Sequence, residues 1–169
     1  MDTGASVGII GGADGPTAIF VTYKLGWFND VGLLFVILLL VPNLLFALRH
    51  REGFVNRFEN KWLERLEQVG RFGCMAFMVF NLPGTVWGFA SGGSALWYLG
   101  LNLLLLALYW LAWAVFWRKS GLFRALTLSI LPSVQFLASG ILMRSLLLTA
   151  CALVFAPCHI LISYRNAKA

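Results

Sequence analysis

The sequence predicts an all-α integral membrane protein, a bundle of about five transmembrane helices with kinked spans and one interfacial amphipathic helix. Of its 169 residues, 60% are hydrophobic and only 12% are charged, whereas soluble domains are about half apolar and a quarter charged. Long apolar runs recur, each close to the roughly 20 residues that a helix needs to cross a bilayer. Alternating strands that could close a barrel are absent from these runs, so the spans are expected to be helices in lipid.

Five apolar runs define a membrane domain that covers residues 25–169. A Gly-rich segment, residues 1–24, precedes this domain and is expected either to lie at the outer face or to enter the membrane as a re-entrant hairpin. No positively charged stretch opens the chain, so a cleavable signal peptide is not expected. The predicted spans are residues 31–48, 72–90, 95–117, 122–143 and 145–163.

Basic residues give the expected orientation, because short cytoplasmic loops are enriched in Lys and Arg. Eleven of them fall in the first loop, the third loop with its flank and the C-terminal tail, against only Lys24 and Arg144 on the other side. We therefore expect a multi-pass protein of the cell membrane with its N-terminus outside and its C-terminus in the cytoplasm.

The first loop contains an amphipathic pattern. Phe54, Phe58, Trp62, Leu66 and Val69 recur at spacings of three or four and would form one helix face, with charged residues on the other. This pattern is typical of a helix that lies on a membrane surface. A docking site for a cytoplasmic partner is the alternative.

Prolines interrupt four of the five spans, and each has polar neighbours. A proline inside a helix frees a carbonyl group, which then needs another hydrogen-bond donor in a membrane. Such breaks occur in transport pathways, but they also serve as ordinary kinks, with polar side chains holding helices together. The residues singled out as candidates for a pathway or a kink are Asn81, Pro83, Gly84, Thr85 and Gln135.

Several function classes are not indicated. The net charge of +6 is accounted for by the loops, so nucleic acid is not an expected partner. Catalytic signatures such as a P-loop or H-E-x-x-H are absent, so the chain is not expected to be catalytic by itself. Cys158 and His159 are adjacent and point in different directions on a helix, so His159 is expected to be packed and hydrogen-bonded rather than a metal ligand.

The segment from Gly8 to Thr17 carries the strongest local signal. Gly11, Gly12 and Gly15 allow a backbone to approach an ion closely, and Pro16 would interrupt a helix. Asp14 places a carboxylate among apolar residues, and Thr17 adds a hydroxyl group. These oxygens could bind Na⁺, or Asp14 could take up a proton. Helix packing through glycines four residues apart, or a plain turn, are the alternatives.

Residues 7–21, Val-Gly-Ile-Ile-Gly-Gly-Ala-Asp-Gly-Pro-Thr-Ala-Ile-Phe-Val, resemble the signature of the β subunit of sodium-translocating decarboxylases. That resemblance implies that Asp14 binds the coupling Na⁺ and that the glycines, Pro16 and Thr17 form the break around it. It covers only this segment, because no second motif of that family follows residue 24.

Three hypotheses follow from the sequence. The first is a decarboxylase-β-like membrane protein that binds or conducts Na⁺ or H⁺ near Asp14, without a covalent cofactor, within a larger membrane complex or a homo-oligomer. The second is a non-catalytic membrane scaffold that binds a partner. The third is a small-solute transporter that uses the kinked spans.

Overall fold

A computed structural model describes residues 5–10, 18–23, 26–49, 60–118 and 121–168. Two short strands, β1 and β2, are followed by five helices, α1 to α5. The strands are Ala5–Ile10 and Ala18–Tyr23, and the helices are Asp30–Arg49, Lys61–Val79, Gly92–Phe116, Leu122–Leu142 and Leu146–Lys168.

The five helices run alternately up and down and form a ring in the order α1, α3, α4, α5, α2. Antiparallel packing is visible in paired side chains, since Phe116 meets Phe123 at one end of α3 and α4, and Asn102 meets Ser139 nearer the other. We call the end that carries Arg49, Lys61, Arg118 and Lys168 the basic end, and the opposite end the sealed end. Four of the helices, all except α2, are long and apolar enough to cross a membrane.

The N-terminal segment contains an antiparallel pair of strands, which the sequence analysis did not anticipate. Residue Ala5 of β1 pairs with Tyr23 of β2, and Ile10 pairs with Ala18. Gly8 is therefore part of a strand and does not belong to a helix-packing face. Asp14, Gly11, Gly12, Gly15 and Thr17 lie outside the described residues.

Helix α1 shows how a proline in a span is accommodated. Pro42 has no N–H, so the Leu38 carbonyl four residues earlier lacks its usual donor. The indole Nε1 of Trp110 on α3 donates to this oxygen at 2.9 Å. Next to the proline, the Asn43 amide donates to the Leu39 carbonyl at 3.0 Å and to the Tyr109 hydroxyl at 2.7 Å. The expected kink thus becomes a set of links between α1 and α3.

Helix α2 corrects two predictions at once. The predicted interfacial helix and the predicted span 72–90 are not separate elements, because α2 is one continuous helix from Lys61 to Val79. It begins at Asn60, whose side chain caps the amides of Trp62 and Leu63. Phe54 and Phe58, the first part of the predicted interfacial face, lie outside the described residues.

The break expected in the middle of the second span is instead a turn that follows the end of α2. Pro83, Gly84 and Thr85 form this turn, in which Gly84 has a φ of +81°, a conformation that favours glycine. The Thr85 amide donates to the Leu82 carbonyl at 3.1 Å. The turn is also held from outside, because the Leu146 amide donates to the Thr85 carbonyl at 2.9 Å.

Backbone hydrogen bonds join the loops at the sealed end. The Asn29 amide donates to the Val79 carbonyl at 2.7 Å, and the Asn81 amide donates to the Trp27 carbonyl at 2.8 Å. The Asn81 side chain adds a bond to the Gly26 carbonyl at 2.8 Å. These bonds tie the start of α1 to the end of α2.

The hydrogen bond from Trp110 should stabilise the fold because Pro42 leaves the Leu38 carbonyl without its usual donor. The Trp110→Phe variant leaves the Leu38 carbonyl without its donor, so the free energy of unfolding should fall by about 1 kcal/mol or more. In a Pro42→Ala background the helix supplies its own N–H, and the same substitution should cost clearly less. Unfolding of the four proteins in detergent gives the coupling. Equal costs in both backgrounds would contradict this explanation.

Candidate functional site

A cavity of about 780 Å³ lies inside the ring and reaches the basic end. All five helices contribute to its wall, from Gly121 at the start of α4 and Ala167 near the end of α5 down to Val36, Met75 and Phe136. On α4 the lining extends over some four helical turns, a depth of roughly 20 Å at 1.5 Å per residue. The volume falls in the range of small-molecule sites, about 300–1,000 Å³.

Three ionisable side chains meet on the cavity wall between α2 and α5. The Glu67 residue is only 4% exposed, and its Oε1 accepts a hydrogen bond from Nε of Arg71 at 3.0 Å and forms an ion pair with the guanidinium group. On the other helix, His159 Nδ1 lies 2.9 Å from the same oxygen. We call Glu67, Arg71 and His159 the charged cluster. It supplies a buried carboxylate with the opposite charge and hydrogen bonds that burial requires.

Small residues allow α5 to approach α2 closely enough for this contact. A Cβ atom on Gly70 would lie 2.9 Å from the Cβ of Phe155 and 3.0 Å from its backbone nitrogen. Phe155 in turn stacks on the His159 ring, with centroids 4.7 Å apart and an interplanar angle of 19°. The glycine therefore sets the spacing, and the phenylalanine orients the imidazole toward Glu67.

The polarity of α2 is reversed relative to a helix in a soluble protein. Its outward face carries Trp62, Leu66, Val69 and Phe72, which are 75%, 49%, 69% and 61% exposed. Its inward face carries Glu67 and Arg71 together with Glu64 and Gln68, all of which line the cavity. A surface helix of a soluble protein buries its apolar stripe and exposes its charges. The apolar spacing found in the sequence is thus real, but it faces away from the protein.

Tyr109 and Trp113 of α3 line the opposite wall, and Phe46 of α1 packs against Trp113. The guanidinium carbon of Arg124 lies 4.6 Å from the ring centroid of Phe46 and 5.4 Å from that of Trp113. Both distances fall within the reach of cation–π attraction. Arg124 is therefore a second cationic side chain of the cavity wall, and it lies against apolar surface near the basic end.

Tightly packed side chains close the cavity toward the sealed end. Phe35, Met78, Met143 and Leu148 are fully or almost fully buried there. The Asn29 amide donates to the Met78 carbonyl at 3.1 Å and contacts the Met143 sulfur at 3.6 Å. The cavity therefore reaches one end of the bundle and stops at this layer.

The structure places the other residues singled out from the sequence away from the cavity wall. Asn81 is buried in the loops of the sealed end. Gln135 is buried on α4 next to the cavity-lining Phe136, and within the described part of the chain neither polar atom of its amide has a hydrogen-bond partner. Whether Asn81 or Gln135 affects transport stays a prediction.

The charged cluster was missed as a site by reasoning from the sequence. His159 has a hydrogen-bonded partner, as expected, but Glu67 was assigned to the polar face of the interfacial helix and Arg71 only to the basic first loop. Their spacing of four residues signals an ion pair on one helix face, and the apolar residues opposite them could have indicated that this face points inward. Within the described residues, no group of three His, Cys, Asp or Glu side chains is arranged to hold a metal ion.

Comparisons of the chain with protein-family models, curated proteins and solved structures find no match.

Removing the carboxylate should destabilise the fold. The Glu67→Ala variant leaves the other two members of the charged cluster facing each other, so the free energy of unfolding should fall by about 2 kcal/mol. Arg65→Ala is the control on the same helix, because the exposed Arg65 lies over Trp62 outside the cavity. Its effect should stay within about 0.5 kcal/mol. Similar losses for the two variants, in unfolding experiments in detergent, would contradict the assigned importance of the cluster.

Proposed function

We propose that this chain is a multi-pass membrane protein that binds a small solute in its central cavity and takes it up from the cytoplasmic side. The cavity carries the proposal, because it is walled by all five helices and contains a buried, hydrogen-bonded charged cluster. Carriers commonly bind their substrates inside the helix bundle. This proposal corresponds to the small-solute transporter, the third of the hypotheses from the sequence.

The reversed polarity of α2 supports insertion into a bilayer. Its outward apolar stripe would be costly in water, whereas lipid is a favourable environment for it. Its charged residues would be costly in lipid, but the charged cluster faces the cavity, where ionisable residues of membrane helices usually lie. With α2 included, all five helices cross the membrane. The basic end then faces the cytoplasm, because it holds most of the Lys and Arg residues.

Access to the cavity can be tested with a thiol reagent that does not cross membranes. Ala125 lines the cavity, and the exposed Ala107 on α3 does not. In a background without Cys74, Cys151 and Cys158, an Ala125→Cys variant should react only in vesicles whose cytoplasmic face is outward. An Ala107→Cys variant, which faces lipid in this proposal, should not react in either orientation.

Two results would contradict the proposed function. An unreactive Ala125→Cys variant in both vesicle orientations would mean that water does not reach the cavity. A reaction only from the opposite side would mean that the basic end is not cytoplasmic.

A second candidate function rests on the N-terminal motif. The fifteen-residue resemblance to the sodium-translocating decarboxylase β subunit favours Na⁺ or H⁺ binding near Asp14. The antiparallel pairing of β1 with β2 supports a compact segment, since it brings the two ends of the motif together. In this proposal, the chain works within a larger membrane complex.

Thermal stability in salt tests the ion site. A ligand that binds only the folded state raises stability by about 2.7 kcal/mol at 100 times its dissociation constant. NaCl should therefore raise the melting temperature more than KCl at equal ionic strength, and an Asp14→Asn variant should lose the difference. Identical curves in the two salts would leave the motif as a packing or turn element.

A further inference from the structure

The polarity of the cavity changes along its depth. From the basic end to about half of its depth the wall is polar and carries Glu64, Glu67, Arg71, Arg124 and His159, together with Asn43, Tyr109 and Ser129. The floor toward the sealed end is apolar and is formed by Val36, Leu39, Met75 and Phe136. This change from polar to apolar runs in the same direction as the gradient that one leaflet of a bilayer presents between its headgroups and its acyl chains.

The length of the cavity also matches a leaflet. Its depth of roughly 20 Å compares with about 15 Å for half of the hydrocarbon core, so the mouth with Glu64 and Arg124 would lie near headgroup level. A compact water-soluble solute would leave the apolar interior without a matching group. An alkyl chain fills such a space favourably, because each buried methylene contributes about 0.8 kcal/mol.

The side of the cavity between helices α1 and α2 is lined by exposed side chains. The two helices are joined at the sealed end, where Asn29 bonds to Met78 and Val79. Nearer the basic end, Leu40 and Ala47 on α1 and Gln68 on α2 line the cavity and are all exposed. A molecule already dissolved in the leaflet at the basic end could therefore enter sideways between them.

The charges of the polar half of the cavity are balanced. Two carboxylates and two guanidinium groups line it, together with His159. Such a wall does not select strongly for net charge, and it offers both acceptors and donors to a head that carries both signs.

From these observations we propose that the cavity binds a single-chain zwitterionic amphiphile drawn from the leaflet at the basic end. The head lies at the charged mouth, and the chain extends toward Met75 and Phe136. This inference rests on the proposed function, since it names the class of solute that the same cavity takes.

The test uses a lysophosphatidylcholine that carries a photoreactive diazirine near the end of its chain. The purified protein in nanodiscs is irradiated with this probe, and the labelled residues are mapped by mass spectrometry. We expect label on Met75 and Phe136 in excess of that on the outward-facing Leu44. Unlabelled lysophosphatidylcholine should compete for the two cavity positions and not for Leu44.

A matched pair of variants separates the cavity from the surrounding lipid. Ala125→Trp fills the mouth of the cavity, whereas Ala114→Trp adds the same side chain to an exposed position of α3. Label on Met75 should fall on the order of tenfold in Ala125→Trp, equivalent to about 1.4 kcal/mol of binding free energy. It should not change in Ala114→Trp.

The amphiphile proposal would be overturned if Met75 and Phe136 carried no more label than Leu44, or if both variants lost label equally. The thiol experiment distinguishes a failure of this proposal from a failure of the proposed function. A reactive Ala125→Cys variant without chain labelling would leave a cavity for a water-soluble solute. An unreactive variant without chain labelling would remove both proposals.

Discussion

Burying a carboxylate inside a helix bundle is costly unless opposite charges and hydrogen bonds accompany it. Glu67 meets this requirement with Arg71 from its own helix and His159 from α5. Both helices must therefore hold a fixed register, and Gly70 must stay small enough for α5 to approach. The pairing of α2 with α5 then fixes one side of the ring, while the hydrogen-bonded loops of the sealed end fix where α1 meets α2. The space left between these constraints is the cavity.

The same interaction determines which way α2 faces. With Glu67 and Arg71 turned inward, the residues two and five positions from Glu67 lie on the other side of the helix and must face outward, and these are Trp62, Val69 and Phe72. An apolar environment around the outer face would favour this orientation of the helix. In the proposed membrane setting, lipid outside and polar groups inside are two parts of one arrangement, which links the proposed insertion to the proposed solute site.

Much of the helical architecture could be predicted from hydropathy. The expected spans 31–48, 95–117 and 122–143 differ from α1, α3 and α4 by a few residues at most, because their apolar runs are nearly uninterrupted. The expected end of the last span, residue 163, falls short of Lys168, because the final turns of α5 are polar. The second span was wrong for a different reason. The charged residues between Lys61 and Arg71 lower the mean hydropathy of this part of the chain, so it was not assigned to a span. Glu67 and Arg71 are nevertheless paired inside the bundle.

The site itself could be predicted only in part. Proline positions indicated where carbonyl groups would need donors, and at Pro42 the donor is Trp110 of another helix. The sequence contains no information about that partner, since the two residues are distant along the chain. The meeting of Glu67 with His159 is likewise a consequence of how α2 and α5 pack. Local patterns reveal the amphipathic face of a helix, but the environment that each face meets is decided by the tertiary structure.

The central claim is that α2 has lipid on one side and a water-accessible cavity on the other. Adjacent residues Gln68 and Val69 test it directly, because Gln68 lines the cavity and Val69 points outward. A nitroxide would be attached to a cysteine at each position in turn, and its collisions with oxygen and with a water-soluble nickel chelate would be measured in proteoliposomes. The account predicts more oxygen collisions at position 69 and more nickel collisions at position 68. Strong nickel collisions at both positions would place the outer face of α2 in water and contradict the account.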